Sequence, residues 1–133
     1  VGHCLGHANW SHYAGNMMLF LLLGPILEDK YGSGKLLLMI VMTAVISGLL
    51  NILFFPHVAL LGASGIVFMF IVLTSASCMV DDRIPLTMIL IIVIYVGAEI
   101  IDAVTKQDNI SQFTHVIGGI CGAVFGLANG KKK

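Results

Sequence analysis

The sequence predicts an all-α fold, a polytopic bundle of membrane helices in a single domain of residues 1–133. Hydrophobic residues make up 58% of the chain and charged residues only 11%, whereas about 25% of the residues of a soluble protein are charged. The charged residues also fall in short clusters that separate long apolar segments, as in membrane proteins. A soluble core of this size has no room for so much apolar surface, so we expect a bilayer as solvent. At about 20 residues per span, five spans fill the chain and leave no separate catalytic domain.

The first predicted span covers residues 10–27. No Asp, Glu, Lys or Arg occurs in residues 1–27, and the next eight residues, 28–35 (EDKYGSGK), read as a charged, glycine-containing turn. Charged residues in lipid are costly, so this cluster marks the end of the span.

The next two predicted spans lie within one uncharged segment. Residues 36–80 lack Asp, Glu, Lys and Arg for 45 residues, which is about twice the length that one span needs. Pro56 and Gly62 mark a break inside the segment. The second span is therefore predicted at 36–55 and the third at 62–79.

The last two spans are predicted at 85–104 and 113–129. The turn before them is Asp81 to Pro85, and a polar loop at 105–112 separates them.

The basic residues predict the orientation of the bundle. Six of the seven fall on one side of the predicted spans and only Lys106 falls on the other; the six are Lys30, Lys35, Arg83, Lys131, Lys132 and Lys133. The positive-inside rule then predicts a cytoplasmic C-terminus and an outward N-terminus. An outward N-terminus without a visible signal peptide fits an upstream helix that this sequence does not contain.

The composition also argues against several classes of function. The formal net charge is zero, so we expect no nucleic-acid partner. The three cysteines are odd in number and widely spaced, which favours neither a disulfide framework nor a zinc ribbon.

Histidines recur at the start of the first span. His12 and Asn16 are four residues apart and share a helix face, and His3 and His7 have the same spacing. Two histidines at this spacing can bind a metal, but no cluster of carboxylates or cysteines completes a site. The alternative is that His12 and Asn16 are hydrogen-bond donors directed into the bundle.

A serine stands among small residues where the third span begins. In Gly62-Ala63-Ser64-Gly65, Ser64 is either a close-packing contact between helices or a nucleophile. Small neighbours leave room for a substrate carbonyl, and a helix start supplies free backbone N–H groups for an oxyanion.

A histidine precedes a ridge of glycines in the last span. Gly118, Gly122 and Gly126 form a small-xxx-small ridge that allows another helix to approach closely. His115 is either an interfacial residue beside this packing surface or a base for Ser64, since both lie near the outer ends of their helices.

Two acids lie near the outer end of the fourth span. Glu99 and Asp102 share a helix face, and either one could orient His115 or make hydrogen bonds at the interface.

Four motifs, in this order, resemble those of the rhomboid family of intramembrane serine proteases. They are His3-x3-His7-x4-His12-x3-Asn16, the turn from Glu28 to Lys35, Gly62-Ala63-Ser64-Gly65, and His115-x2-Gly118-x3-Gly122. The family core has six helices, of which five are readable here. The first core helix and its following loop are not part of this sequence.

The resemblance implies that Ser64 is the nucleophile and His115 the general base, a dyad without an acid. We expect neither a cofactor nor a metal. It assigns transition-state stabilisation to His12, Asn16 and the loop at Gly62. Supporting structural roles fall to Glu28, Gly65, Gly118, Gly122 and Phe68. Phe68 stands where the family packs an aromatic ring, often Tyr, against the catalytic histidine.

The resemblance further implies a multi-pass protein of the bacterial inner membrane that cleaves transmembrane segments of substrate proteins. It makes no prediction of an oligomeric state. The alternative is a catalytically silent, rhomboid-like protein that binds transmembrane helices. A small channel or transporter is disfavoured, because the polar residues cluster at the outer ends of the spans and do not line a whole span.

Overall fold

The computed structural model describes residues 2–7, 9–60, 62–81, 86–106 and 109–129, and the described part is an all-α bundle. Its helices, after a short 3-10 turn at Gly2–Cys4, are α1 (Trp10–Tyr31), α2 (Ser33–Phe54), α3 (Ser64–Asp81), α4 (Leu86–Lys106) and α5 (Asn109–Asn129). The predicted fold class is confirmed. Of the turn predicted at Asp81 to Pro85, Asp81 is the last residue of α3, and residues 82–85 lie outside the described residues, as do the lysines at 131–133.

The reversal between α1 and α2 is shorter than predicted. The sequence predicted a turn over residues 28–35, but the helices are separated by Gly32 alone. Gly32 adopts a φ of 82°, a conformation that costs glycine little. Its N–H donates to the Glu28 carbonyl at 2.7 Å, and the Ser33 hydroxyl donates to Glu28 Oε1 at 2.6 Å. The charged residues therefore lie on the helix ends.

The loop between α4 and α5 is also shorter than predicted. The sequence predicted a polar loop over 105–112, but α4 continues to Lys106 and α5 begins at Asn109. Polar residues at these ends remain helical, so the polar character of the sequence did not mark the end of each helix.

The break within the long uncharged segment lies where it was predicted. The α2 helix ends at Phe54, and α3 begins at Ser64. The side-chain amide of Asn51 donates to the Val58 carbonyl at 3.1 Å and holds the connecting loop against α2.

The α3 helix is the centre of the bundle and packs against α1, α2 and α5. Most of its described side chains are buried, among them Val67, Phe70 and Leu73. From α1, the fully buried residues Leu19, Leu23 and Leu27 recur every four positions, which places them on one face.

The α3 and α5 helices approach so closely that their backbones touch. A Cβ added to Gly118 would overlap the Gly65 carbonyl, and one added to Gly122 would lie 2.6 Å from the Met69 carbonyl oxygen. Real Cβ atoms do not approach backbone so closely, so only glycine fits at these contacts. The glycine ridge of α5 therefore faces α3.

The outer surface of the described bundle is rich in large apolar side chains, including Leu37, Leu53, Ile94 and Leu127. By length and composition, α2 is the one helix among the described residues that qualifies as a membrane span, and Ser64–Ala76 is a shorter apolar helix. The five crossings and their bounds stay a prediction.

Candidate active site

The turn that precedes α3 brings Gly62 against two side chains of α1. Gly62 has a φ of 110°. A Cβ added there would lie 2.8 Å from His12 Nε2 and 3.8 Å from Asn16 Nδ2. Backbone conformation and space both require glycine at this position. The structure thus brings together His12, Asn16 and Gly62, the three residues to which the resemblance assigns transition-state stabilisation.

Asn16 is fully buried, and only one end of its amide is satisfied. Its Oδ1 accepts a hydrogen bond from the Tyr95 hydroxyl on α4. This bond directs Nδ2 towards Gly62, and Nδ2 has no hydrogen-bond partner among the described residues. Buried donors are nearly always paired, so a buried amide of this kind marks a place where an acceptor can bind.

Tyr95 is a site residue that the sequence analysis missed. Its ring packs beside α1, where a Cβ added to Gly15 would lie 3.5 Å from the ring. The signal in the sequence is weak, because a tyrosine within an apolar helix is commonly an ordinary packing residue. Only the arrangement of α1 and α4 reveals its hydrogen bond to Asn16.

Ser64 is the first residue of α3 and is 4% exposed. The first backbone hydrogen bond of this helix runs from the Val67 N–H to the Ala63 carbonyl at 3.0 Å. The N–H groups before Val67 therefore lack partners within the helix. Ser64 follows Gly62 by two residues, and Gly62 is the residue that lies against His12 and Asn16.

His115 lies on α5 and is 9% exposed. Its ring stacks on Phe68, with a centroid separation of 4.1 Å and an interplanar angle of 13°. Phe68 lies one turn after Ser64, so the ring that orients His115 belongs to the helix of the candidate nucleophile. A Cβ added to Gly65 would lie 2.9 Å from Thr114 Cγ2, which brings the residues adjoining Ser64 and His115 into contact.

Glu99 is the acid that reaches the site. Its Oε2 lies 3.3 Å from His115 Nε2, and its Oε1 lies 3.6 Å from His12 Nδ1. His115 therefore faces Glu99 with its Nε2. Asp102, the second acid that the sequence singled out, is exposed.

The remaining candidates lie apart from this cluster or pack around it. His7 packs on the rings of His12 and Tyr13, at centroid separations of 5.6 and 5.1 Å. The side chain of His3 lies outside the described residues. Glu28 is at the other end of α1, where it holds the Gly32 reversal.

Metal binding and thiol attack are two other chemistries that these residue types allow. Among the described residues, no group of three or more His, Cys, Asp or Glu side chains is arranged to hold a metal ion. Cys4 is a free thiol, and burial raises its pKa, which lowers the thiolate fraction that a nucleophile needs.

Comparison with protein-family models matched residues 1–132 to the Rhomboid domain. The chain matched no curated protein and no solved structure.

Proposed function

The chain belongs to the rhomboid family of integral membrane proteins, and we propose that it is a serine endopeptidase that cleaves transmembrane segments of other proteins. The proposal assigns the nucleophile to Ser64 and the general base to His115. It assigns oxyanion stabilisation to His12, Asn16 and the Ser64 N–H.

The observation that carries this proposal is the unpaired amide of Asn16. Leaving a buried donor unsatisfied costs about 1–3 kcal/mol, and a serine that served only for helix packing would need no such donor nearby. The cost is explained if an acceptor arrives during the reaction. The oxygen of a tetrahedral intermediate at Ser64 is an acceptor of this kind, and its charge develops only in the transition state.

The reaction follows from these positions. His115 accepts the Ser64 proton while Ser64 Oγ attacks the scissile carbonyl carbon, and the carbonyl oxygen becomes an oxyanion held by the donors of α1 and α3. His115 then gives the proton to the leaving amine, and the peptide C–N bond breaks. Water deprotonated by His115 attacks the acyl ester and restores Ser64.

The reaction requires a hydrogen bond between the base and the nucleophile. Catalytic hydrogen bonds are often long in a free enzyme and tighten when the substrate binds. Phe68 stacks on the His115 ring, so the ring can turn within its own plane without losing that contact.

The substrate must present an accessible peptide bond. A helical bond in lipid is shielded by its own hydrogen bonds, so the substrate helix has to unwind near the site. We therefore propose substrates with helix-breaking residues near the outer membrane interface. The proposed location is the bacterial inner membrane, with the C-terminus in the cytoplasm.

The test is cleavage of a fluorogenic transmembrane peptide with a Gly-Gly pair near its outer end, in proteoliposomes. The native protein is expected to cleave the peptide, and Ser64→Ala and His115→Ala to abolish cleavage. Ser75→Ala is the matched control, because Ser75 lies on the same helix and its hydroxyl donates to the Ile71 carbonyl of that helix. Peptide that binds but stays intact would favour the catalytically silent alternative.

A further inference from the structure

A single carboxylate of α4 lies between the two histidines of the candidate site. Glu99 Oε1 is 3.6 Å from His12 Nδ1, and Glu99 Oε2 is 3.3 Å from His115 Nε2. The three side chains are 13%, 21% and 10% exposed, in that order. A carboxylate removed from most of its water is stable where charge or hydrogen-bond donors compensate it. His115 Nε2 lies within hydrogen-bond distance of this carboxylate, and His12 Nδ1 lies just beyond that distance.

The position of Glu99 follows from the register of α4 against α1. Tyr95 and Glu99 are four residues apart on α4, and His12 and Asn16 are four residues apart on α1. Residues at this spacing lie one above the other on a helix face. Tyr95 bonds to Asn16 and Glu99 faces His12, so two contacts one turn apart fix the same register.

The contact with Glu99 has a consequence for each ring. When His115 donates from Nε2 to the carboxylate, its Nδ1 keeps the lone pair that a base needs. His12 faces the carboxylate with Nδ1 and the Gly62 turn with Nε2. A ring that donates from both nitrogens is positively charged, and the carboxylate balances that charge.

We propose that Glu99 is a positioning residue that fixes the proton-bearing nitrogen of both His115 and His12. This inference rests on the function proposed above. During the reaction, the proton of Ser64 passes to Nδ1 of His115, and the resulting imidazolium lies against the negative charge of Glu99. The proton then passes from Nδ1 to the leaving amine, so that the protonation state of Glu99 does not change.

The kinetic test is Glu99→Gln, which keeps the shape of the side chain and removes its charge. We expect kcat for the transmembrane peptide to fall about 10- to 100-fold, the size expected for losing a hydrogen bond to a charged group. KM should stay within about twofold, because Glu99 acts through the histidines and not on the substrate. Asp102→Asn, which removes an exposed charge one turn away, should change kcat less than about twofold.

Three kinetic results would overturn the proposal. The first is an unchanged or increased kcat in Glu99→Gln, and the second is a change in that variant that is confined to KM. The third is a fall in kcat in Asp102→Asn as large as that in Glu99→Gln. An increased kcat would mean that Glu99 restrains His115 and does not assist it.

A spectroscopic measurement separates this inference from the proposed function. Ring ¹⁵N signals of the histidines report which nitrogen carries the proton. We expect Glu99→Gln to shift the signals of His12 and His115 and to leave that of the exposed His57 unchanged. If the native protein cleaves nothing, the proposed function fails, and the ¹⁵N shifts still decide whether Glu99 holds the two rings. Unchanged signals at both rings would overturn the inference.

Discussion

The two helix contacts that build the candidate site differ in kind. The glycine seam, formed by Gly65, Gly118 and Gly122 between α3 and α5, is a contact of backbone with backbone. The polar seam, in which Tyr95 and Glu99 of α4 meet α1, is a contact between side chains: the Tyr95 hydroxyl donates to Asn16, and Glu99 Oε1 lies 3.6 Å from His12 Nδ1. The nucleophile and the base are therefore brought close because the glycines between their helices have no side chains. The oxyanion donors depend instead on the partners that orient them.

The difference predicts two kinds of sensitivity. A methyl group added at Gly118 or Gly122 of the glycine seam has no space, because the nearest atoms are backbone and cannot rotate away. In the polar seam, losing the Tyr95 hydroxyl leaves the backbone in place and removes only the hydrogen bond that orients the Asn16 amide. Substitutions in the two seams should therefore separate stability from activity.

Removing the unpaired donor of the polar seam should have the largest effect on activity. Asn16→Ala is expected to lower kcat by about 10²–10³-fold, as for the loss of one oxyanion donor. The measurement is peptide cleavage in proteoliposomes, with thermal unfolding in parallel. Asn129→Ala is the matched control, since this amide lies at the far end of α5 and bonds to the Phe125 carbonyl. Equal losses in both variants would contradict the assignment of Asn16.

Adding one methyl group to the glycine seam should have the next largest effect. Gly118→Ala forces α5 away from the Gly65 carbonyl, and a displacement of about 1 Å at a catalytic centre costs about 10²-fold in rate. Overpacking should also lower the free energy of unfolding by about 1–3 kcal/mol.

Gly119→Ala is the control for the glycine seam. A Cβ at this adjacent position would meet Val72 Cγ2 at 3.8 Å, an ordinary contact, so activity and unfolding should stay close to those of the native protein. If Gly118→Ala behaves like Gly119→Ala, the helices are not held by the backbone contact described here.

Removing the hydroxyl that orients Asn16 should have a smaller effect. Tyr95→Phe is expected to lower kcat about 10-fold, because the amide loses the bond that directs Nδ2 to the Gly62 turn, a bond worth about 1 kcal/mol or slightly more. Cleavage kinetics check this, and Tyr13→Phe, an exposed tyrosine near the start of α1, should leave the rate unchanged. A Tyr95→Phe rate equal to the native rate would mean that Asn16 is oriented by other contacts.

Replacing the ring that stacks on His115 should have the smallest effect. An aromatic pair contributes about 0.5–1.5 kcal/mol beyond its buried area, so Phe68→Leu is expected to lower kcat by about 2- to 10-fold. Phe68→Tyr keeps the ring and should retain most of the activity. The stacking account is wrong if the two variants have the same rate in the cleavage assay.

The sequence was sufficient to predict the number and order of the helices, because charged residues interrupt the apolar segments. It was also sufficient to place His12 with Asn16, since four residues separate positions on one helix face. The predicted helix ends were less accurate. Gly32 alone, with its positive φ, reverses the chain, and the charged residues on both sides of it are helical. No hydropathy pattern distinguishes this arrangement from a longer turn.

Contacts between helices explain what the sequence missed. Glu99 and Asp102 share a face of α4, and only the register of α4 against α1 decides which acid meets the histidines. Tyr95 has the same explanation, because its partner lies 79 residues earlier in the chain. Neither the depth of α4 nor its rotation can be read from its own residues.

The most direct test of the central claim is labelling with a fluorophosphonate probe in membranes, followed by mass spectrometry of the labelled peptide. The claim is that His115 activates Ser64. The account predicts a label on Ser64 in the native protein and none in Ser64→Ala or His115→Ala. Labelling that persists in Ser64→Ala, or a native protein that takes up no label, would contradict the account.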